Sequence, residues 1–176
     1  MKNVFVISDT HFGHHNMYNF VEADGTRTRH EFANAEEADQ AMIDRWNSVV
    51  KTTDKVYHLG DVFINKKASS ILYALNGDKV LIKGNHDIFE LKVYTPFFRD
   101  IRAYHVLDKM ILSHVPIHKD CIERFKGNVH GHLHRKLILD HWKKPDPFYK
   151  SACVEHNDYT PVELSVFIDH FSKLRT

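Results

Sequence analysis

The chain has 176 residues, 43% of them hydrophobic and 27% charged, and its 24 Lys and Arg nearly balance 23 Asp and Glu. That length suits one domain, residues 1–176, with a sizeable core. The near-neutral total gives no global electrostatic case for a nucleic-acid or membrane surface, and no apolar run approaches the roughly 18 residues of a membrane span.

In chain order, "KNVFVIS" (Lys2 to Ser8) is apolar and β-branched, which predicts a buried strand. A polar loop with Gly13 follows, then a short helix near Asn16 to Val21. Ala38, Met42, Trp46, Val49 and Val50 recur at helical spacing behind Asn34 and Glu37, a capping-box pair, so a helix is expected over Ala35–Val50. "KVYHLG" is the second strand, and a helix over Ala68–Leu75 should break at Asn76-Gly77. "KVLIKG", "KMILSH", "NVHGHLH" and "FYKSACVEH" read as further strands, and Asn157 to Pro161 as a turn. Leu164, Phe167, Ile168, Phe171 and Leu174 then make one face of a last helix.

Five of the apolar runs end in clusters of Asp, Asn or His: Asp9 with His11, Asp61, Asn85 with His86, His114, and His132 with His134. The carboxyl ends of strands are where α/β sheets build sites. The chain also carries fifteen histidines, dispersed rather than tag-like, an excess that asks for a chemical reason. In "VHGHLH" they alternate at 130, 132 and 134, and an extended segment would put all three on one face. Together these groups offer two carboxylates, one amide oxygen and four imidazoles, with His86 to spare. Such donors suit divalent Mn, Fe, Ni or Zn. They are too many for one tetrahedral ion but enough for two ions about 3.5–4 Å apart that share a carboxylate, an arrangement used in phosphate-ester hydrolysis. Cys121 and Cys153 form neither a disulfide framework nor a CxxC pair, and free thiols in a cytoplasmic protein are expected.

"DTH" (Asp9 to His11), "GD" (Gly60-Asp61), "GNHD" (Gly84 to Asp87), "SH" (Ser113-His114) and "GHLH" (Gly131 to His134) resemble, in order, the five blocks of the calcineurin-like metallophosphoesterases. The compact size, the "SDTHFGHHNM" opening and the "NDYTPVEL" end look like a small bacterial or phage-type branch. The resemblance implies a four-layer αββα sandwich: two mixed β-sheets face to face, with helices outside. It implies that Asp9, His11, Asp61 and His134 hold one metal and that Asp61, Asn85, His114 and His132 hold the other, Asp61 bridging. His130 then has a supporting role, Asp87 ties down its loop, and His86 assists the leaving group as general acid. The implied reaction is in-line attack on a phosphodiester by a metal-bridging hydroxide. The alternatives are a small-molecule phosphomonoesterase, a nuclease acting on a nucleotide or nucleic-acid end, or a non-catalytic protein-binding scaffold. No obligate protein partner is expected.

Larger relatives extend the second block to "GDxxDRG", whose arginine binds phosphate, whereas this chain reads "GDVFINK". The departure weakens a protein-phosphatase reading and leaves the phosphate-binding cation unidentified. His14, Arg27 and Arg29 are the candidates for substrate contact, the arginines sitting in a loop, "GTRTRHEF", expected near the site.

Overall fold

A computed structural model of the protein describes residues 2–22 and 24–175. It is a mixed α/β structure with two mixed sheets. The first contains β1 (Val4–Ile7), β2 (Lys55–His58), β3 (Asp78–Ile82), β4 (Asp100–Arg102) and β9 (Val162–Glu163) in the order β4-β3-β2-β1-β9. Its first four strands run parallel and only β9 is antiparallel. The second sheet has the order β5-β6-β7-β8, from β5 (Tyr104–Leu107), β6 (Met110–Ser113), β7 (Gly127–His130) and β8 (Tyr149–Ser151). There β5 is antiparallel to β6, and β6, β7 and β8 are parallel.

The central strands are buried on both faces, which explains why they read as near-continuous apolar runs. On one face of the first sheet, Phe5, Ile7, Val56 and Leu81 pack with Met42 and Trp46 of α1 (Ala35–Val49). On the other, Val6, Tyr57, Val80 and Ile82 share a core with Met110, Leu112 and Val129 of the second sheet. The last helix, α3 (Leu164–Ser172), sends Leu164, Phe167 and Phe171 into that same inter-sheet core. The very short α2 (Lys119–Ile122) links β6 to β7. Gly127 sits where the Phe171 ring leaves no room for a Cβ. Gly127→Ala should therefore cost about 1–3 kcal/mol by overpacking, lowering the melting temperature by several degrees in a thermal scan; an unchanged value would mean the ring moves freely.

The start of α1 is built as its sequence requires. Asn34 Oδ1 accepts from Glu37 N at 2.9 Å, and the Glu37 carboxylate reaches back to Ala33 N at 2.8 Å. Two expected helices are instead 3₁₀ turns, His15–Tyr18 and Lys66–Tyr73; the second buries only Leu72, too little apolar surface to hold a regular helix. Strands β4 and β5 escape a pattern search because their side chains are half-buried or exposed, and β9 is only two residues long. Among the described residues, no helix is long and apolar enough to cross a membrane.

Parallel registers align the strand ends. Ile7 lies beside His58 and His58 beside Leu81, while Ser113, His130 and Ser151 line up in the second sheet. A bridge between Ser8 and Cys153, with Val154 N donating to Ser8 O, joins the two sheets along this rim. The segments that leave these strands are thereby brought to one place.

Candidate metal centre

The β1 and β2 exits are laced together. Asp9 N donates to Gly60 O, His11 N to Asp61 O and Phe12 N to Val62 O, each at about 3.0 Å. Buried His58 locks the pair from beneath. Its Nδ1 accepts from Gly60 N at 3.2 Å, so the Nε2 proton must point to Thr10 Oγ1, 3.0 Å away, which in turn donates to Val62 O. Burial pulls this imidazole down to about 3, so it is neutral. The β3 exit is tied in by Asp87, whose carboxylate accepts from the amides of Asp61, Val62 and Gly84 at 2.8–3.0 Å. Gly84 has no space for a Cβ, which would overlap Asp61.

Two groups of ligating atoms result, Asp9 with His11 and His134, and Asp61 with His114 and His132, the atoms of each group lying within 4.8 Å of one another. Asp61 stands between them: its Oδ2 is 3.6 Å from His11 Nε2 and 3.4 Å from His114 Nε2. Its Oδ1 accepts from the His86 amide at 2.8 Å. Asn85 completes the second group, its Oδ1 lying 2.7 Å from His114 Nε2 and 2.9 Å from His132 Nδ1. His114 Nδ1 donates to Leu59 O at 2.8 Å, which leaves Nε2 as the nitrogen available to a metal.

In the first group, Asp9 Oδ1 and both nitrogens of His11 are buried with no hydrogen-bond partner among the described residues. Asp9 Oδ2 is fully occupied, accepting from Ser8 Oγ, the His132 amide and Cys153 Sγ at 2.5, 2.9 and 3.3 Å. Burial raises the Asp9 carboxyl above its ordinary range and holds His11 well below its own, the latter helped by the nearby Arg29 charge. Acceptors converging without protons repel one another, and a buried neutral imidazole beside an orphaned carboxylate oxygen is the donor set a divalent cation satisfies. The residues present therefore fit two metal ions.

The strand through "VHGHLH" ends at His130, so the alternation does not set three rings on one face. His132 and His134 take left-handed backbone angles, φ 71° and 50°, and turn to different groups. His130 is buried, with Nδ1 on Gly131 O at 2.8 Å, and belongs to neither group. His86 is exposed beside the first group, its ring centroid 5.5 Å from that of His11. His14 sits nearby, 5.6 Å from His11, and both line the cleft in front of the ligands.

The two arginines are elsewhere. Arg27 is exposed on a small bridge with Val21 and is not among the cleft's lining residues. Arg29 is fully buried: its guanidinium donates to Asp9 O at 2.6 Å, Thr10 O at 2.9 Å and the Glu155 carboxylate at 3.0 Å. The expected phosphate contact from Arg29 is thus corrected to a buried brace for the ligand loop. The lysine in the cleft is Lys136.

Glu155 was absent from the sequence-based set. Its Oε1 accepts a hydrogen bond from His134 Nδ1 at 3.1 Å, leaving Nε2 to face Asp9. Burial alone would raise the Glu155 carboxyl, but the Arg29 charge and the His134 hydrogen bond outweigh it and hold it at about 2. Burial likewise disfavours charged His134, yet Glu155 prevails and raises it. A signal existed: "SACVEH" is a sixth apolar run ending in a charged pair. Its strand stops at Ser151 and Glu155 rides the 3₁₀ turn Val154–His156 into the site.

Two adjacent groups of potential metal ligands on the rim of two mixed sheets are therefore what fold and site define. Over 98% of its length the chain is 35% identical to the uncharacterized protein MJ1445 of Methanocaldococcus jannaschii, covering 93% of that protein, and it belongs to the same family. It is 27% identical to the Gene 66 protein of Mycobacterium phage L5, over 79% of this chain and 81% of that one. Among solved structures it is similar to AQ665, a protein of unknown function from Aquifex aeolicus, with a TM-score of 0.70, 26% identity, and 96% and 98% of the two chains covered. No family model matches the chain.

Proposed function

We propose that the protein is a dinuclear-metal-dependent phosphodiesterase of the calcineurin-like metallophosphoesterase type, its two sheets and outer helices forming that family's four-layer sandwich. The observation that carries this reading is Asp61 Oδ2, placed within 3.6 Å of a nitrogen from each ligand group. Asp9, His11, Asp61 and His134 would hold one ion, and Asp61, Asn85, His114 and His132 the other. When bound, two divalent ions lower the pKa of a water and neutralise charge on phosphoryl oxygens. The chain's own part is to orient the imidazoles, with Leu59 O and the Glu155 carboxylate accepting from Nδ1 of His114 and His134 so that each ring's Nε2 faces the site. His86, exposed to the cleft and tethered through its backbone amide to Asp61, would give a proton to the departing ester oxygen.

Charge in the cleft favours a diester over a monoester. Beyond the ligands and neighbouring histidines, its charged lining residues are Lys136 and Glu22, which cancel. That balance suits a singly charged phosphodiester better than a dianion.

The direct test is hydrolysis of bis-p-nitrophenyl phosphate against p-nitrophenyl phosphate after chelation and refilling with Mn, Ni, Zn or Fe. Faster diester cleavage is expected, and faster monoester cleavage would move the assignment to a phosphomonoesterase. His86→Ala should keep both ions and lower kcat by about 10²- to 10⁴-fold. Full activity in that variant would remove His86 from the acid role. Two bound ions with no turnover of either ester would favour the scaffold.

A further inference from the structure

The cleft in front of the candidate ligands has a volume of about 570 Å³ and a mixed lining. His11, His86, His132 and His134 share it with the apolar side chains of Met17, Phe20, Ile64 and Leu133. Phe20 leaves half of its surface open although Met17 and Tyr18, just before it, are buried. Its ring lies edge-on to His14, 5.9 Å between centroids, so a line of rings leads from His11 through His14 to an open aromatic face. Lys136 carries no ion pair or side-chain hydrogen bond among the described residues, whereas neighbouring Arg135 is bound to Glu31 and Thr28 O. Glu22, which accepts from Thr28 Oγ1 at 3.1 Å, lines the same cleft.

We infer that the part of the cleft beside Phe20 is a nucleoside subsite, so that the substrate is a nucleotide diester whose base packs on Phe20 while its phosphate, held at the ligand groups, is also met by Lys136. The inference rests on the phosphodiesterase reading and narrows it. A half-open phenyl face beside aliphatic walls suits a flat heterocycle, which stacks whatever its sequence identity. The Glu22 carboxylate is an acceptor for sugar hydroxyls or an exocyclic amine. It also argues against a longer strand: beyond Lys136 the surface continues past Glu22 and Asp24, two carboxylates that would repel successive phosphates, while Arg135 there is already bound to Glu31. The occupant is thus a single nucleoside rather than a nucleic-acid track.

The test compares AMP with ribose 5-phosphate by titration calorimetry on Mn-loaded full-length protein. Both carry the phosphate and the sugar, and only AMP carries a base. AMP should bind at least about tenfold tighter, the scale of one aromatic–base stack. Phe20→Ala and the bulkier Phe20→Leu should both erase that difference and leave ribose 5-phosphate unchanged, while Lys136→Ala should weaken both ligands in the same proportion. Equal wild-type affinities, no binding of either ligand, or loss of both alike in the Phe20 variants would overturn the subsite. A 5′-phosphorylated tetranucleotide binding tenfold tighter than AMP would overturn it in favour of a strand. Turnover of bis-p-nitrophenyl phosphate by the same preparation reports separately on the phosphodiesterase reading.

Discussion

Asp61→Asn is expected to empty both halves of the centre at once. The substitution keeps the shape of the side chain and an oxygen for the His86 amide, but it removes the charge from the atom that faces His11 Nε2 at 3.6 Å and His114 Nε2 at 3.4 Å. A neutral amide cannot serve two cations as a shared carboxylate does, so elemental analysis after Mn reconstitution should show both ions depleted. Loss of the metals' charge stabilisation, several kcal/mol, should lower diester hydrolysis on the order of a thousandfold. His132→Ala is the contrast, since it touches only the second group and should spare the ion held by Asp9, His11 and His134. A D61N protein that loses one ion and retains the other would contradict the bridge.

The second large effect concerns stability. Arg29→Ala leaves the Glu155 carboxylate buried without its main partner and strips donors from the Asp9 and Thr10 carbonyls. Breaking a buried pair from one side costs about 3–5 kcal/mol, which for a chain of this size lowers the melting temperature by roughly 10 °C. Removing both charges, as in Arg29→Met with Glu155→Gln, should recover much of that loss, because no isolated charge remains. The sign with pH follows from Glu155, held at about 2 in the fold against an ordinary value of 4.5. A depressed carboxyl stabilises the fold above its unfolded value and loses that contribution as pH falls from 4.5 through 2. The gap between wild type and Arg29→Ala should therefore be widest near neutrality and narrow in acid. Urea titrations at pH 7 and pH 3 measure it; a gap that stays constant or widens in acid would assign the loss to packing instead.

Much of the candidate site was legible because its potential ligands follow buried parallel strands, where apolar runs make the polar endings conspicuous. Asp9, His11, Asp61, Asn85, His114, His132 and His134 come together because registers such as Ile7 beside His58 align those endings. What sequence could not supply was the direction of side chains in the loops. Arg27 and Arg29 are two residues apart in one loop, yet one is exposed and the other is fully enclosed, a difference set by tertiary partners such as Glu155, 126 positions away. Lys136 has no local pattern at all; only the nearness of Met17, Phe20, Glu22 and Thr28 to the His132–Lys136 segment makes it part of a cleft. The half-exposed strands β4 and β5 and the two-residue β9 were missed because their short segments lack the apolar signal of a buried run.

Five of the proposed ligands, Asp9, His11, Asp61, His132 and His134, occupy left-handed backbone corners with φ between 48° and 71°. For residues with a Cβ that conformation costs roughly 1–2 kcal/mol each, so together the corners approach the size of a whole domain's folding margin, about 5–15 kcal/mol. A library of this chain sorted for heat resistance alone would drift toward glycine at these corners and lose the proposed ligands on the way. Robustness and the proposed metal binding compete here for the same five peptide units.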